Sequence, residues 1–197
     1  MFVIDFSFIL LLLIFLVCAV ITFIICKKTN RRYSLITYLF VEAYILLMIK
    51  VVVMPIFLLN ATARRESLQG VKGLTLYGIQ LMPFEAIRNI IEIQSFAGII
   101  QIVGNLLLLV PLAFLITWVF SKDNILVLII TGLLMTELIE CIQLAINIIT
   151  KYPGHAVDID DVIFNYVGYI IAVFVILLVK KKCNKTYQNV RKVFIAK

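Results

Sequence analysis

Apolar residues along this chain gather into five blocks of about 20 residues, the length one helix needs to cross a hydrocarbon core. The blocks run from about Phe2 to Cys26, Leu35 to Leu59, Gly98 to Val119, Ile125 to Ile149 and Asp160 to Val179. Within them leucine, isoleucine and phenylalanine occur on all sides rather than along one narrow stripe, which suits contact with lipid better than contact with water. The pattern predicts an all-α polytopic membrane helix bundle of about five transmembrane helices, forming one domain over residues 1–197. Pro55 lies inside the second block together with Glu42 and Lys50. Two alternatives therefore stay open: the first block frays, or the second is re-entrant. The first block does not read as a secretory signal, because Asp5 rather than a positive charge precedes it and no small-residue cleavage site closes it.

The one long connection is residues 60–97. Gly70, Gly73 and Gly78 flank Leu74–Tyr77, which predicts a short strand or turn. Pro83 then stands like a first helical residue. After it, Phe84, Ile87 and Ile91 share one helical face, while Glu85, Arg88 and Glu92 share another. This predicts a short amphipathic helix lying on the membrane surface, or a plain connector packed on the bundle. Ser121–Asn124 predicts a tight turn between the third and fourth blocks.

Composition agrees with the block pattern: 63% of residues are hydrophobic and 15% charged. That leaves too few charges to wet the surface of a soluble domain. The net charge of +7 would suit nucleic acid or an anionic membrane surface, and the positions of the charges decide between them. Lys27, Lys28, Arg31 and Arg32 follow the first block, and Lys180, Lys181, Lys182, Lys185, Arg191, Lys192 and Lys197 follow the last. With Lys122, one set of connections carries 12 basic residues against 5 on the other, Lys50 being the remaining one. By the positive-inside rule this gives an N-outside, C-inside topology, with residues 180–197 as a basic cytoplasmic tail. No nucleic-acid-binding motif accompanies the basic clusters. Cys18, Cys26, Cys141 and Cys183 show no motif spacing and read as small apolar filler.

Ionisable residues inside a span cost roughly 2.5–3.5 kcal/mol each on insertion scales and need partners or water. At about 100° per residue, Thr136, Glu137, Glu140, Gln143 and Asn147 fall within roughly a third of the fourth helix's circumference. Asp158, Asp161, Asn165 and Gly168 line one face of the fifth, with Asp160 on the other side. At about 1.5 Å rise per residue, Lys50 and Glu140 both lie roughly 22 Å above the inner boundary, and Asn105 and Asn165 arrive near that level from above. The expected polar cluster is therefore Lys50, Asn105, Glu137, Glu140, Gln143, His155, Asp158, Asp161 and Asn165, with Lys50 pairing with Glu140 or Glu137. Read functionally it is a polar crevice open to the outside; read structurally it is hydrogen-bonding glue between helices. Asp158 or a neighbour can cap the fifth helix after the Pro153-Gly154 turn. One histidine without a second carboxylate cluster argues against zinc, so no metal and no cofactor are expected.

These same residues resemble the VanZ-like family of bacterial membrane proteins over about residues 35–179. Leu81-Met82-Pro83-Phe84 is similar to the family's Asn-x-x-Pro-Phe segment, and Gly104-Asn105 through Pro111-Leu112 to its Gly-Asn-x-x-x-Phe-x-Pro-x-Gly stretch. Glu137-Leu138-Ile139-Glu140-Cys141-Ile142-Gln143 resembles its Glu-x-x-Gln element. Asp158 through Asp161 and Asn165 to Gly168 resembles the Asp-x-x-Asp-x-x-x-Asn-x-x-Gly element, the most specific of these. The chain departs from the family at His155, near where members commonly have Arg, and at Ala113, which replaces a Gly. If that Arg binds an anionic group, His155 would do so only weakly at neutral pH.

The resemblance implies a multi-pass plasma-membrane protein of a Gram-positive bacterium, in a family whose namesake is associated with resistance to teicoplanin, a lipoglycopeptide. Three functions compete. One is a non-enzymatic envelope protein that lowers susceptibility to such antibiotics, its crevice and surface helix engaging an acyl chain or an envelope lipid headgroup. Another is an intramembrane enzyme acting on an envelope lipid or lipid-linked precursor, with Glu137, Glu140, His155 and Asp161 as acid and base groups. The third, a transporter, lacks the inverted repeat that such folds carry.

Overall fold

The computed structural model describes residues 2–29, 33–85, 87, 88, 92, 95–121 and 124–195. Five helices are long and apolar enough to span a membrane: α1 (Phe8–Lys28), α2 (Leu35–Val53), α4 (Phe96–Val119), α5 (Ile125–Thr150) and α6 (Ile159–Lys182). Between α2 and α4 lies the short α3 (Ala61–Ser67), and α7 (Asn184–Phe194) follows α6. The expected all-α membrane bundle is the observed fold. Each span starts on a polar cap: the side chains of Ser7, Ser34, Ser95, Asn124 and Asp158 accept backbone N–H groups of the first helical turn. A cap satisfies donors that neither apolar neighbours nor lipid could.

Two span ends differ from those read in the sequence. The second block runs on apolar to Leu59, yet α2 stops at Val53 after a wider π-helical turn over Ile49–Val53. Met54 precedes Pro55 and adopts the extended conformation that a residue before proline favours. The chain then forms strand β2 (Ile56–Leu58), which pairs antiparallel with β1 (Phe2–Ile4). Phe2–Ile4 therefore belong to a small ribbon at the mouth of the bundle and not to the first span.

The core sits where α4, α5 and α6 meet. Leu109, Ala113, Val119, Leu128 and Tyr169 are fully buried, and Val52 and Val173 nearly so. Two glycines set the spacing. At Gly132 a Cβ would lie 2.4 Å from the Tyr169 ring, and at Gly168 it would lie 1.8 Å from the Leu106 carbonyl oxygen. Gly168 is thus what lets α6 lie directly against the backbone of α4. α4 loosens at Leu109, two residues ahead of Pro111, whose missing N–H and ring break the helical ladder there. α1 stays peripheral: only Cys26 is buried on it, and Thr22 donates to Glu42 of α2 at 3.1 Å.

The basic segment read as a tail folds back instead. α7 places Tyr187 beside Trp118 and donates or accepts a 2.9 Å hydrogen bond at Ser121. The carbonyls of Val193 and Phe194 accept from Ser34 and Thr37 at 2.6 and 2.5 Å. This end of the bundle carries the basic clusters that close α1 and α6, the end that the positive-inside rule assigns to the cytoplasm.

At the other end, residues 73–85 cover the tops of α5 and α6. A 3-10 turn, Gly73–Tyr77, leads into β3 (Ile79–Gln80), which pairs parallel with β4 (Val157–Asp158). Gly78 joins them with φ 73°, and a Cβ there would meet the His155 carbonyl oxygen at 2.5 Å. Of the amphipathic helix expected from Pro83 to Glu92, Ala86, Asn89, Ile90 and Ile91 lie outside the described residues. Glu85, Ile87, Arg88 and Glu92 are helical, and Arg88 pairs with Glu92 at 2.8 Å. Lys122 and Asp123 of the expected tight turn also lie outside the described residues.

Candidate functional site

Four spans converge on a polar cavity of about 460 Å³ beneath this cover. α2 contributes Val51 and Val52; α4 contributes Gln101, Gly104 and Asn105; α5 contributes Glu140 and Gln143; α6 contributes Asp161 and Asn165. His155 closes it from the α5–α6 connection.

Each carboxylate is held by a different device. Glu140 accepts the Asp158 N–H at 3.1 Å through Oε2, tying α5 to the start of α6. Asp158 caps α6 by accepting the Asp160 N–H at 2.9 Å. Asp160 in turn accepts the Phe84 N–H at 2.5 Å, which anchors the covering segment. Asp161 receives the Asn105 amide at 2.5 Å and the Gln101 amide at 3.4 Å. Asn147, one turn above the cavity, holds the connection in place: its amide donates at 2.8 Å to the carbonyls of Tyr77 and His155 and accepts the His155 N–H at 3.0 Å.

Six of the nine residues expected in the cluster line this one cavity: Asn105, Glu140, Gln143, His155, Asp161 and Asn165. Asp158 sits just outside and acts through its N–H on Glu140. Two residues sit elsewhere. Lys50 is one turn short of the end of α2 and reaches the Asp5 carboxylate of the N-terminal segment, with Phe8 beneath its ammonium. The expected pairing of Lys50 with Glu140 or Glu137 is therefore replaced by one with Asp5. An ammonium near a helix end extends toward the interface instead of staying among the helices, and helix phase alone gave no sign that the chain start returns to it. Glu137 lies at the edge of the polar strip of α5 and is exposed. Gln101 went unnamed in the sequence, although it stands one turn before Asn105 on the same face of an otherwise apolar span. Asp160, placed by helical phase on the far side of α6, is fully buried and serves as the anchor for Phe84.

The cavity has a defined polarity. Among the described residues its lining includes two carboxylates, Glu140 and Asp161, and no Lys or Arg. Glu140 Oε1, Gln143 Oε1, Asn165 Oδ1 and His155 Nε2 are buried and have no hydrogen-bond partner among the described residues. Among the described residues no group of three or more His, Cys, Asp or Glu is placed to hold a metal ion. Burial pushes the His155 imidazole below its ordinary pKa, partly offset by the carbonyls of Pro55 and Val53, which hydrogen-bond the ring. Asp158 moves the other way: burial raises it, its bond from the Asp160 N–H lowers it, and the charges of Asp160 and Glu85 raise it again.

His155 is therefore neutral at neutral pH, and a pH dependence follows. A histidine whose folded pKa is depressed contributes stability above its unfolded value of about 6.5 and loses it as pH falls below that. The thermal midpoint of the wild type minus that of His155→Gln should be constant above about pH 7 and shrink between about pH 6.5 and 5. Asp158 is common to both proteins and cancels in the difference. A flat difference over that range would show that His155 is not buried in its neutral form.

The family model described as VanZ/LLP1 matches residues 40–180. The chain belongs to the VanZ/LLP1 family. No curated protein and no solved structure matches it. The matched region takes in most of α2 and all of α4, α5 and the covering segment, together with α6 as far as Lys180; α1 and α7 lie outside it. Every residue lining the polar cavity thus falls within the VanZ/LLP1 region. The chain is a multi-pass membrane protein of this family, with its polar cavity at the end of the bundle opposite the basic one.

Proposed function

We propose that this VanZ/LLP1 protein lowers the susceptibility of a Gram-positive cell to lipoglycopeptide antibiotics of the teicoplanin type, acting without catalysis at the outer side of the plasma membrane. The observation that carries this reading is the polar cavity between α2, α4, α5 and α6, whose buried acceptor atoms lack partners among the described residues. Groups that served only to glue helices together would hydrogen-bond one another, because unmet polar atoms in a membrane interior cost several kcal/mol. Unpartnered acceptors gathered in one cavity suit a ligand that supplies donors.

A second reading, an intramembrane enzyme acting on an envelope lipid or lipid-linked precursor, draws on Glu140 and Asp161 facing one cavity as an acid–base pair. Among the described residues the lining holds no Ser, Thr, Cys or Lys, and its two carboxylates already accept hydrogen bonds from Asp158, Asn105 and Gln101; both observations support the binding reading.

The test is teicoplanin susceptibility of a Gram-positive host expressing the chain, compared with Glu140→Gln at matched membrane abundance. The substitution keeps an oxygen for the Asp158 N–H while removing the charge. Wild type is expected to protect several-fold and Glu140→Gln to lose most of that protection. Equal protection would leave the cavity a structural feature. Absence of protection by the wild type would refute the proposed activity.

A further inference from the structure

Below the polar cavity lies a second space of about 420 Å³, walled almost entirely by apolar groups. It runs between α2, α4 and α5, from Val52 and Ile142 near the polar cavity to Val41 and Phe120 near the basic end. Along α2 this spans about 16 Å at 1.5 Å per residue. Two residues, Val52 and Ile139, line both spaces. The polar cavity and the apolar groove thus meet at a common wall. Together they offer a polar chamber toward the surface and a long apolar channel toward the bilayer centre.

The polar chamber selects for charge and for donors. Glu140 Oε1 and His155 Nε2 are buried without partners among the described residues, 6% and 9% exposed as residues, and Asn165, 1% exposed, adds Oδ1. The carbonyls of Val53 and Pro55 hydrogen-bond the imidazole, while its Nε2 has no partner among the described residues and can accept from a ligand when the ring's proton is on the other nitrogen. The amides of Gln101 and Asn105 donate to Asp161, so the donors left in the lining are the neutral amides of Gln143 and Asn165, neither of which carries a charge to offset the carboxylates. The nearby described cation, Lys50, is engaged by Asp5. A hydroxyl brings a single donor and no charge, whereas a primary ammonium brings three donors and offsets the buried carboxylates. A trimethylated ammonium carries the charge without any donor, and a headgroup without a cation, whose only charge is that of its phosphate or carboxylate, brings charge of the wrong sign alone.

We propose that the two spaces form one site for an envelope lipid with a primary-ammonium headgroup, the ammonium lying among Glu140, Asn165 and His155 and one acyl chain lying in the groove between α2 and α5. The proposal rests on the polar cavity being the functional site, and it names the class of its ligand. The lipid's single cationic nitrogen accounts for the acceptors, and the groove that shares Val52 and Ile139 with the cavity as a common wall accounts for the acyl chain.

The probes are phospholipids spin-labelled near the end of one chain, with ethanolamine, choline or glycerol headgroups, mixed into vesicles holding the full-length protein. Electron paramagnetic resonance gives the fraction of chain held immobile by the protein for each headgroup. The ethanolamine lipid is expected to associate roughly tenfold more strongly than the choline lipid, the size of one charge-assisted hydrogen bond. Glu140→Gln should bring that ratio close to one. Leu138→Trp, at the exposed rim of the groove, should lower the immobile fraction for all three lipids without changing the ratio. Equal association of the three lipids, a preference for the glycerol lipid, or an ethanolamine preference that survives Glu140→Gln would each overturn the proposal.

Free ethanolamine separates an anchored headgroup from a soluble amine. It should displace the labelled lipid only at concentrations far above those at which unlabelled ethanolamine phospholipid does, and equal potency would overturn the assignment of the groove. Thermal midpoints within a few degrees of wild type establish that both variants are folded. Teicoplanin susceptibility of the same variants distinguishes the two claims. Headgroup preference without protection overturns the resistance reading and leaves the lipid site; protection without headgroup preference does the reverse.

Discussion

Gly168→Ala is expected to destabilise the protein by about 2–3 kcal/mol, the upper part of the range for adding atoms to a close-packed contact. A Cβ at this position would lie 1.8 Å from the Leu106 carbonyl oxygen and 2.6 Å from its carbon, both backbone atoms that no rotamer change can move. The two helices must separate, and separation carries Asn105 of α4 away from Asp161 of α6. Gly104→Ala is the control, because a Cβ there meets nothing within 4 Å. Alanine exceeds glycine in helix propensity by about 1 kcal/mol, so that change should be neutral or slightly stabilising. Thermal unfolding of both variants in one detergent gives the comparison. Similar losses for the two would mean that α4 and α6 do not touch at Gly168.

The spans and most of the cavity were legible in the sequence because each leaves a periodic trace. Apolar length marks a membrane helix, and a polar strip recurring every three or four residues marks its inward face. Glu140, Gln143, Asp161 and Asn165 all came from that periodicity and all line the cavity. Contacts between distant segments leave no such trace. Asp5 meets Lys50 because Phe2–Ile4 pairs with Ile56–Leu58, and that pairing depends on α2 ending before Pro55. The apolar continuity through Ile56–Leu59 hid the break, although Pro55 itself was visible. α7 was hidden by charge: seven basic residues from Lys180 onward read only as a basic cytoplasmic tail, with no helix assigned to it. The spacing of Tyr187, Val190 and Phe194 nonetheless describes one apolar helical face. Tyr187 is buried against Trp118, and Phe194 packs against Phe114. Asp160 shows the limit of helical phase: it lies off the cavity face, yet it is buried because the covering segment brings the Phe84 N–H to it.

Asn105→Leu should cost about 2–3 kcal/mol, because Asp161 then keeps only the long 3.4 Å contacts from Gln101. Leucine has the branching and heavy-atom count of asparagine but bulkier ends, so it leaves no cavity and the loss comes chiefly from stranding an acceptor. Asp161→Asn removes the charge but places an amide, with two donors of its own, against the donors of Asn105 and Gln101, so it should destabilise too. The decisive variant is the pair Asn105→Leu with Asp161→Leu. Once the carboxylate is gone, asparagine has no acceptor to serve, and the double replacement should recover at least about 1 kcal/mol relative to the sum of the single changes. Strict additivity would mean that the two side chains do not interact across α4 and α6. Susceptibility assays on the same set extend the argument to function. The double variant restores packing and still lacks one of the two carboxylates in the cavity, so it should remain folded, reach the membrane and fail to protect. A protecting double variant would assign the activity to Glu140 alone and reduce Asp161 to a helix-pairing residue.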